Sequence, residues 1–83
     1  MKVLYFAWLK QKVGLTEEEV EPPAEVTDVA GLLDWLAGRS ARHRSALANR
    51  TVIRVAVNQD YVGPGHPVRR GDEVAIFPPV TGG

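Results

Sequence analysis

The feature that most constrains this chain is a single clear helical stripe set between stretches that read as strands. Val29, Leu32, Leu33 and Leu36 fall at i, i+3, i+4 and i+7, so they line one side of a helix with apolar side chains. A lone amphipathic helix cannot bury its own stripe and needs another element, here a sheet built from the flanking strands, to pack on. Thr27 is placed to cap the first-turn amides, and Asp28 suits the positive end of the helix dipole. Gly38 is placed to end the helix, and Trp35 lies off the stripe, at the edge of the core. With 83 residues the chain is one domain. A domain of that size buries only about 60% of its unfolded surface, which leaves little volume for an enclosed active site.

The flanking segments supply the sheet. Val3 to Leu9 is a near-continuous apolar run, read as a central strand covered on much of both faces. Lys10 to Gly14 reads as a connector with room for one helical turn, closed by Gly14. Thr16 to Val20 reads as a second strand whose glutamates face water at a sheet edge, ended by Pro22-Pro23. After the helix, Leu47 and Ala48 suggest a weaker helical segment between Ser40 and Asn49. Val52 to Val57 is a strong strand with Ile53, Val55 and Val57 on one face. Asn58-Gln59-Asp60 is a turn, Tyr61-Val62 a very short strand, Gly63-Pro64-Gly65 a loop, and Arg70-Gly71-Asp72 another turn. Glu73 to Phe77 is the last strand, stopped by Pro78-Pro79. The order strand, strand, helix, three strands is that of an α+β, ubiquitin-like β-grasp: a mixed sheet of about five strands with a helix packed across one face.

Much chemistry is excluded. Lysine plus arginine equals aspartate plus glutamate at ten each, so no basic field argues for nucleic acid. The apolar run near the N-terminus is too short to span a membrane or to form a signal peptide, and a cytoplasmic chain is expected. Cysteine is absent, which rules out disulfides and thiolate metal sites. His43 and His66 have no second ligand at helical or strand spacing, so no zinc site is expected, and both read as surface residues. The Glu17-Glu18-Glu19 cluster with Glu21, and the Arg42-His43-Arg44 cluster, each read as a solvated face or a partner rim rather than a catalytic group. Ser40 and Ser45 lie in no nucleophile-elbow context. Asp72 and Glu73 point to opposite faces of a strand and cannot flank one substrate; Asp72 is better placed to hold the turn.

The end of the sequence is different. Phe77-Pro78-Pro79-Val80-Thr81-Gly82-Gly83 follows a buried strand directly. The two prolines favour an extended exit, and the two glycines, lacking side chains, suit a narrow channel. Fully extended, residues 79 to 83 reach roughly 17 Å at about 3.4 Å per residue, enough to place a carboxylate inside another protein. The expected organisation is a β-grasp domain over 1–77 and a flexible tail over 78–83. A carboxylate with an ordinary pKa near 3.5 is ionised at neutral pH and a poor electrophile. It needs activation, as an acyl adenylate, and this sequence has no phosphate-cradling motif of its own.

These residues resemble the family of small, sulfur-carrying subunits of molybdopterin synthase, also called molybdopterin converting factor subunit 1. The resemblance covers essentially the whole chain. It is carried by Gly71-Asp72-Glu73-Val74-Ala75-Ile76-Phe77-Pro78-Pro79-Val80-Thr81-Gly82-Gly83, with Val3-Leu4-Tyr5-Phe6-Ala7 and Val55-Ala56-Val57-Asn58 in support. It implies that a separate E1-like adenylyltransferase uses ATP to adenylate the carboxylate of Gly83, which a sulfur donor converts to a thiocarboxylate. The chain then threads its tail into the large catalytic subunit, within a heterotetramer, and gives up sulfur to form the molybdopterin dithiolene. By position, Gly83 bears the sulfur, Gly82 keeps the channel narrow, and Thr81, Val80 and Pro79 lie along the tail groove. Phe77 and Pro78 sit at the interface beside the exit. The chain would bind no cofactor itself and act as a non-catalytic sulfur-donor subunit. Three other readings stay open: a sulfur carrier for thiamine, cysteine or a tungsten cofactor, a ubiquitin-like protein modifier, and a bare binding module with an inert tail.

Overall fold

The computed structural model describes residues 1–79; the four residues 80–83, on which the Val80, Thr81, Gly82 and Gly83 expectations fall, lie outside the described residues. The elements are β1 (Lys2–Tyr5), α1 (Ala7–Val13), β2 (Glu17–Glu19), α2 (Val29–Ala37), α3 (Ala41–Ala46), a short 3₁₀ turn (Arg50–Val52), β3 (Arg54–Val57), β4 (Asp60–Val62) and β5 (Glu73–Phe77). The sheet order is β2-β1-β5-β3-β4. β1 runs parallel to β5, and the other pairs are antiparallel. This is the mixed five-stranded sheet with a helical layer on one face that the sequence predicts, although three helices rather than one supply that layer.

The core lies between that layer and the sheet. Alternation along the strands sends Val3 and Tyr5, Val55 and Val57, and Val74 and Ile76 inward. They meet Val29, Leu32, Leu33 and Leu36 of α2, all buried as the stripe requires. α3 adds Ala46, with Leu47 just beyond its end. Trp35 packs half-buried at the margin of this cluster, with Arg39 over its ring. No helix among the described residues is long and apolar enough to cross a membrane.

Four local expectations are corrected. The first strand ends at Tyr5, and Trp8 and Leu9 belong to α1. Seven consecutive apolar residues carry no period, whereas Leu9 and Val13, both buried and four apart, mark a helical face. This helix fills the wide connection between β1 and β2. The α2 cap is Asp28 rather than Thr27: its Oδ1 accepts from the Gly31 N–H at 2.8 Å. Val52 sits in the 3₁₀ turn, and β3 begins two residues later than expected. Last, β2 is an edge strand, but only Glu17 and Glu19 face water; Glu18 turns inward beside Val3.

Gly14 closes α1 in the left-handed conformation at φ 87°, donating its N–H to the Lys10 carbonyl at 2.8 Å. A side chain there would also meet the Arg42 guanidinium carbon at 3.0 Å. That guanidinium caps α1 in turn, donating to the Lys12 and Gln11 carbonyls. Gly14→Ala is therefore expected to lower stability by about 1–2 kcal/mol, read from urea midpoints.

Candidate functional site: an aromatic patch at the root of the tail

β5 delivers the end of the chain to one corner of the sheet. Glu73, Ala75 and Phe77 alternate with the buried Val74 and Ile76, so Phe77 stands on the face that the helices leave open. It is in register with Arg54 of β3, and its ring packs on Tyr61 of β4 at 5.3 Å between centroids, tilted by 42°. Tyr61 is 78% exposed. On the other side of β5, Phe6 follows the last residue of β1, donates its N–H to the Ile76 carbonyl at 3.1 Å, and is 47% exposed. Leu4 and Ala75, paired in register, are half-buried between them. Phe6, Leu4, Ala75, Phe77 and Tyr61 thus form an apolar patch where β5 passes into the half-buried Pro78 and Pro79.

Phe77 and Pro78 lie at this exit, and Phe77 lies outside the buried core. Phe6 and Tyr61 are additional. For Phe6 the signal was present as an aromatic residue one step beyond the β1 pairing. For Tyr61 it was not, because only strand pairing brings it to Phe77. The patch offers apolar area and no carboxylate, imidazole or thiol. Exposed aromatics are the kind of residue enriched as anchors in protein interfaces.

A second cluster escaped sequence reading. His43, expected at the surface, is buried. Its Nε2 lies 2.7 Å from Glu18 Oε2 and its Nδ1 2.7 Å from Ser40 Oγ. Tyr5 donates its hydroxyl to the same Glu18 oxygen at 2.7 Å, and Arg39 lies 3.7 Å from the other. Burial by itself would raise the Glu18 carboxyl, but the hydrogen bonds from His43 and Tyr5, aided by Arg39, hold it below the usual range. Burial and the Glu18 charge push the Tyr5 phenol well above its ordinary value. With Glu18 ionised, His43 Nε2 carries the proton that faces it. Ser40 also caps α3, accepting from the His43 N–H at 3.1 Å. The cluster ties β1, β2 and α3 together, away from the tail root. His66 is exposed, and no group among the described residues gathers three metal-ligating side chains.

The ThiS family profile matches residues 3–83. The chain belongs to the ThiS family. This ThiS-family chain is 43% identical over 83 residues to the molybdopterin synthase sulfur carrier subunit of Escherichia coli (strain K12), covering 100% of this chain and 99% of that one. Among solved structures it is similar to a putative molybdopterin converting factor subunit 1 from Pyrococcus furiosus, with TM-score 0.77, 33% identity and 95% of each chain covered. It is also similar to SAMP1 from Haloferax volcanii, with TM-score 0.76, 30% identity, and 100% and 98% of the two chains covered. The ThiS-family fold here is the ubiquitin-like β-grasp, and its family supports a sulfur-carrier role.

Proposed function

We propose that the chain is the sulfur carrier subunit of a molybdopterin synthase, working through the carboxylate of Gly83. The observation that supports this best is the aromatic patch at the root of Phe77-Pro78-Pro79-Val80-Thr81-Gly82-Gly83. The patch docks the domain on a catalytic subunit and aims the tail, whose two glycines fit a narrow channel. Activation takes place on a separate E1-like enzyme that uses ATP. The Gly83 carboxylate attacks the α-phosphate, pyrophosphate leaves, and a sulfur donor then displaces AMP to leave a thiocarboxylate. With no cysteine in the chain, no internal thiol competes for the activated carbonyl. The domain acts as a handle, and the dithiolene is built in the partner's site, in a heterotetramer with two carrier subunits.

The intact mass after incubation with ATP, the activating enzyme and a sulfur source tests this. The expected result is a gain equal to replacing one oxygen by sulfur, located on Gly83. An unchanged mass, with the activating enzyme working on a control carrier, would sink the reading. The likeness to SAMP1 and to small archaeal modifier protein 1 of Haloferax volcanii favours one alternative: isopeptide attachment of Gly83 to lysines. A stable lysine conjugate would support that use of the same tail.

Phe77→Ala is expected to weaken binding of the catalytic subunit by about 2 kcal/mol or more, with a smaller loss of stability because the ring lies outside the buried core. Calorimetric titration beside a thermal melt separates the two. A collapsed melting temperature with unchanged affinity would make Phe77 a packing residue.

A further inference from the structure

Behind the β4 edge lies a cleft of about 440 Å³ between α2 and the β3–β4 hairpin. Val29, Leu33, Ile53, Val55 and Val62 line it, together with Arg50 and Arg54. β4 is the last strand of the sheet and pairs only with β3. Its turn has two central residues, Asn58 at φ 50° and Gln59 at φ 73°, the geometry of a two-residue hairpin. In such a hairpin Val57 and Asp60 form the hydrogen-bonded pair, so Ala56 and Tyr61 form the next, non-bonded pair. The Tyr61 N–H and C=O therefore point outward, and neither has a backbone partner among the described residues.

We propose that this edge and cleft receive an extended strand of the catalytic subunit, carrying a branched aliphatic residue next to a carboxylate. The proposal rests on the docking read above from the tail root and extends it around the β4 edge. Continuity argues for it: Tyr61 packs on Phe77, and Arg54, in register with Phe77, also lines the cleft. A partner held at the tail root is already beside β4. A strand added about 4.8 Å outside β4 would bond to the Tyr61 amide and carbonyl. Its alternate side chains would fall on Val62 and α2, closing the open side of the sandwich. Charge selects the carboxylate. Arg50 is engaged by Asp34 at 2.9 Å. Arg54 donates only to the Thr51 and Ile53 carbonyls and faces no carboxylate among the described residues.

Gly63→Glu is the probing variant. Gly63 lines the cleft mouth, a Cβ there meets nothing within 4 Å, and its φ is not in the left-handed region. The new side chain therefore leaves the fold intact while opposing an incoming carboxylate. Affinity of the full chain for the purified catalytic subunit is measured for wild type, Gly63→Glu and Arg54→Glu, together with hydrogen exchange at Tyr61 and thermal melts. Both variants are expected to bind about tenfold more weakly, the Gly63→Glu melt to stay unchanged, and the Tyr61 amide to gain protection in the complex. If wild type binds but both variants match it and Tyr61 exchanges as in the free chain, the proposal is overturned and the carrier reading stands. Weakened binding without Tyr61 protection overturns the added strand. A free-chain dimer that Gly63→Glu dissociates assigns the cleft to a second copy and overturns the proposal. If wild type does not bind the catalytic subunit at all, the carrier reading falls and takes the proposal with it.

Discussion

Removal of Gly82 and Gly83 is expected to abolish sulfur transfer while the melting temperature stays where it was. Among the described residues, the last member of the buried cluster along the chain is Ile76, in β5, and Phe77 already stands outside it. Loss of activity should be complete, because no other group in the chain is placed to carry the sulfur. It has no cysteine, and the aromatic patch at the tail root, with Arg54 beside it, offers no thiol. Dithiolene formation by the reconstituted synthase, followed beside a thermal melt, checks both halves. Residual transfer at the wild-type rate would place the sulfur elsewhere, and a collapsed melting temperature would make the tail part of the packing.

The largest stability effect is expected at Glu18. Glu18→Ala removes the common acceptor of His43 Nε2 and the Tyr5 hydroxyl, leaving two donors in a partly buried site beside Arg39. Stranding such groups costs about 1–3 kcal/mol each, so the expected loss is about 3 kcal/mol, read from urea unfolding. Glu18→Gln should lose less, because the amide oxygen still accepts. The pH profile follows from the direction of the Glu18 shift. Its carboxyl is lower in the folded than in the unfolded chain, so the folded state holds the proton less tightly. That stability is fully present above the unfolded value, about 4.3, and is lost as pH falls through the lower folded value. Glu18→Gln should flatten this acid limb. Tyr5 acts at the other end: its raised phenol supports stability fully below about 10, and that support is lost as pH rises further. A wild-type acid limb that Glu18→Gln leaves unchanged would refute the assignment to this cluster.

Several elements were legible because their signals are local. The α2 stripe needs only 3.6-residue spacing, and its four apolar residues are all buried. Glu73–Phe77 was legible because its apolar run is stopped by two prolines. Asp72 holds the turn before it as expected, accepting from the Arg69 N–H at 2.8 Å and from the Asn58 side chain at 3.0 Å. α1 was misread because an unbroken apolar run has neither strand nor helix period. Glu18 did carry a signal: it lies two residues before the buried Val20, on the same side of a strand. Its charge argued for solvent and masked that parity.

By itself, then, the sequence determined the fold class and the tail motif, because periodicity and breakers act within a few residues. Tertiary structure alone decided what those faces meet. His43 and Glu18 are 25 residues apart and come together only when α3 packs over β1 and β2. Tyr61 reaches Phe77 only because β3 sets β4 and β5 on its two sides. The β4 cleft forms only where α2 comes beside the β3–β4 hairpin. Contacts of this kind depend on which strand pairs with which and in what register, and the short-range pattern of side chains along one segment does not contain that information.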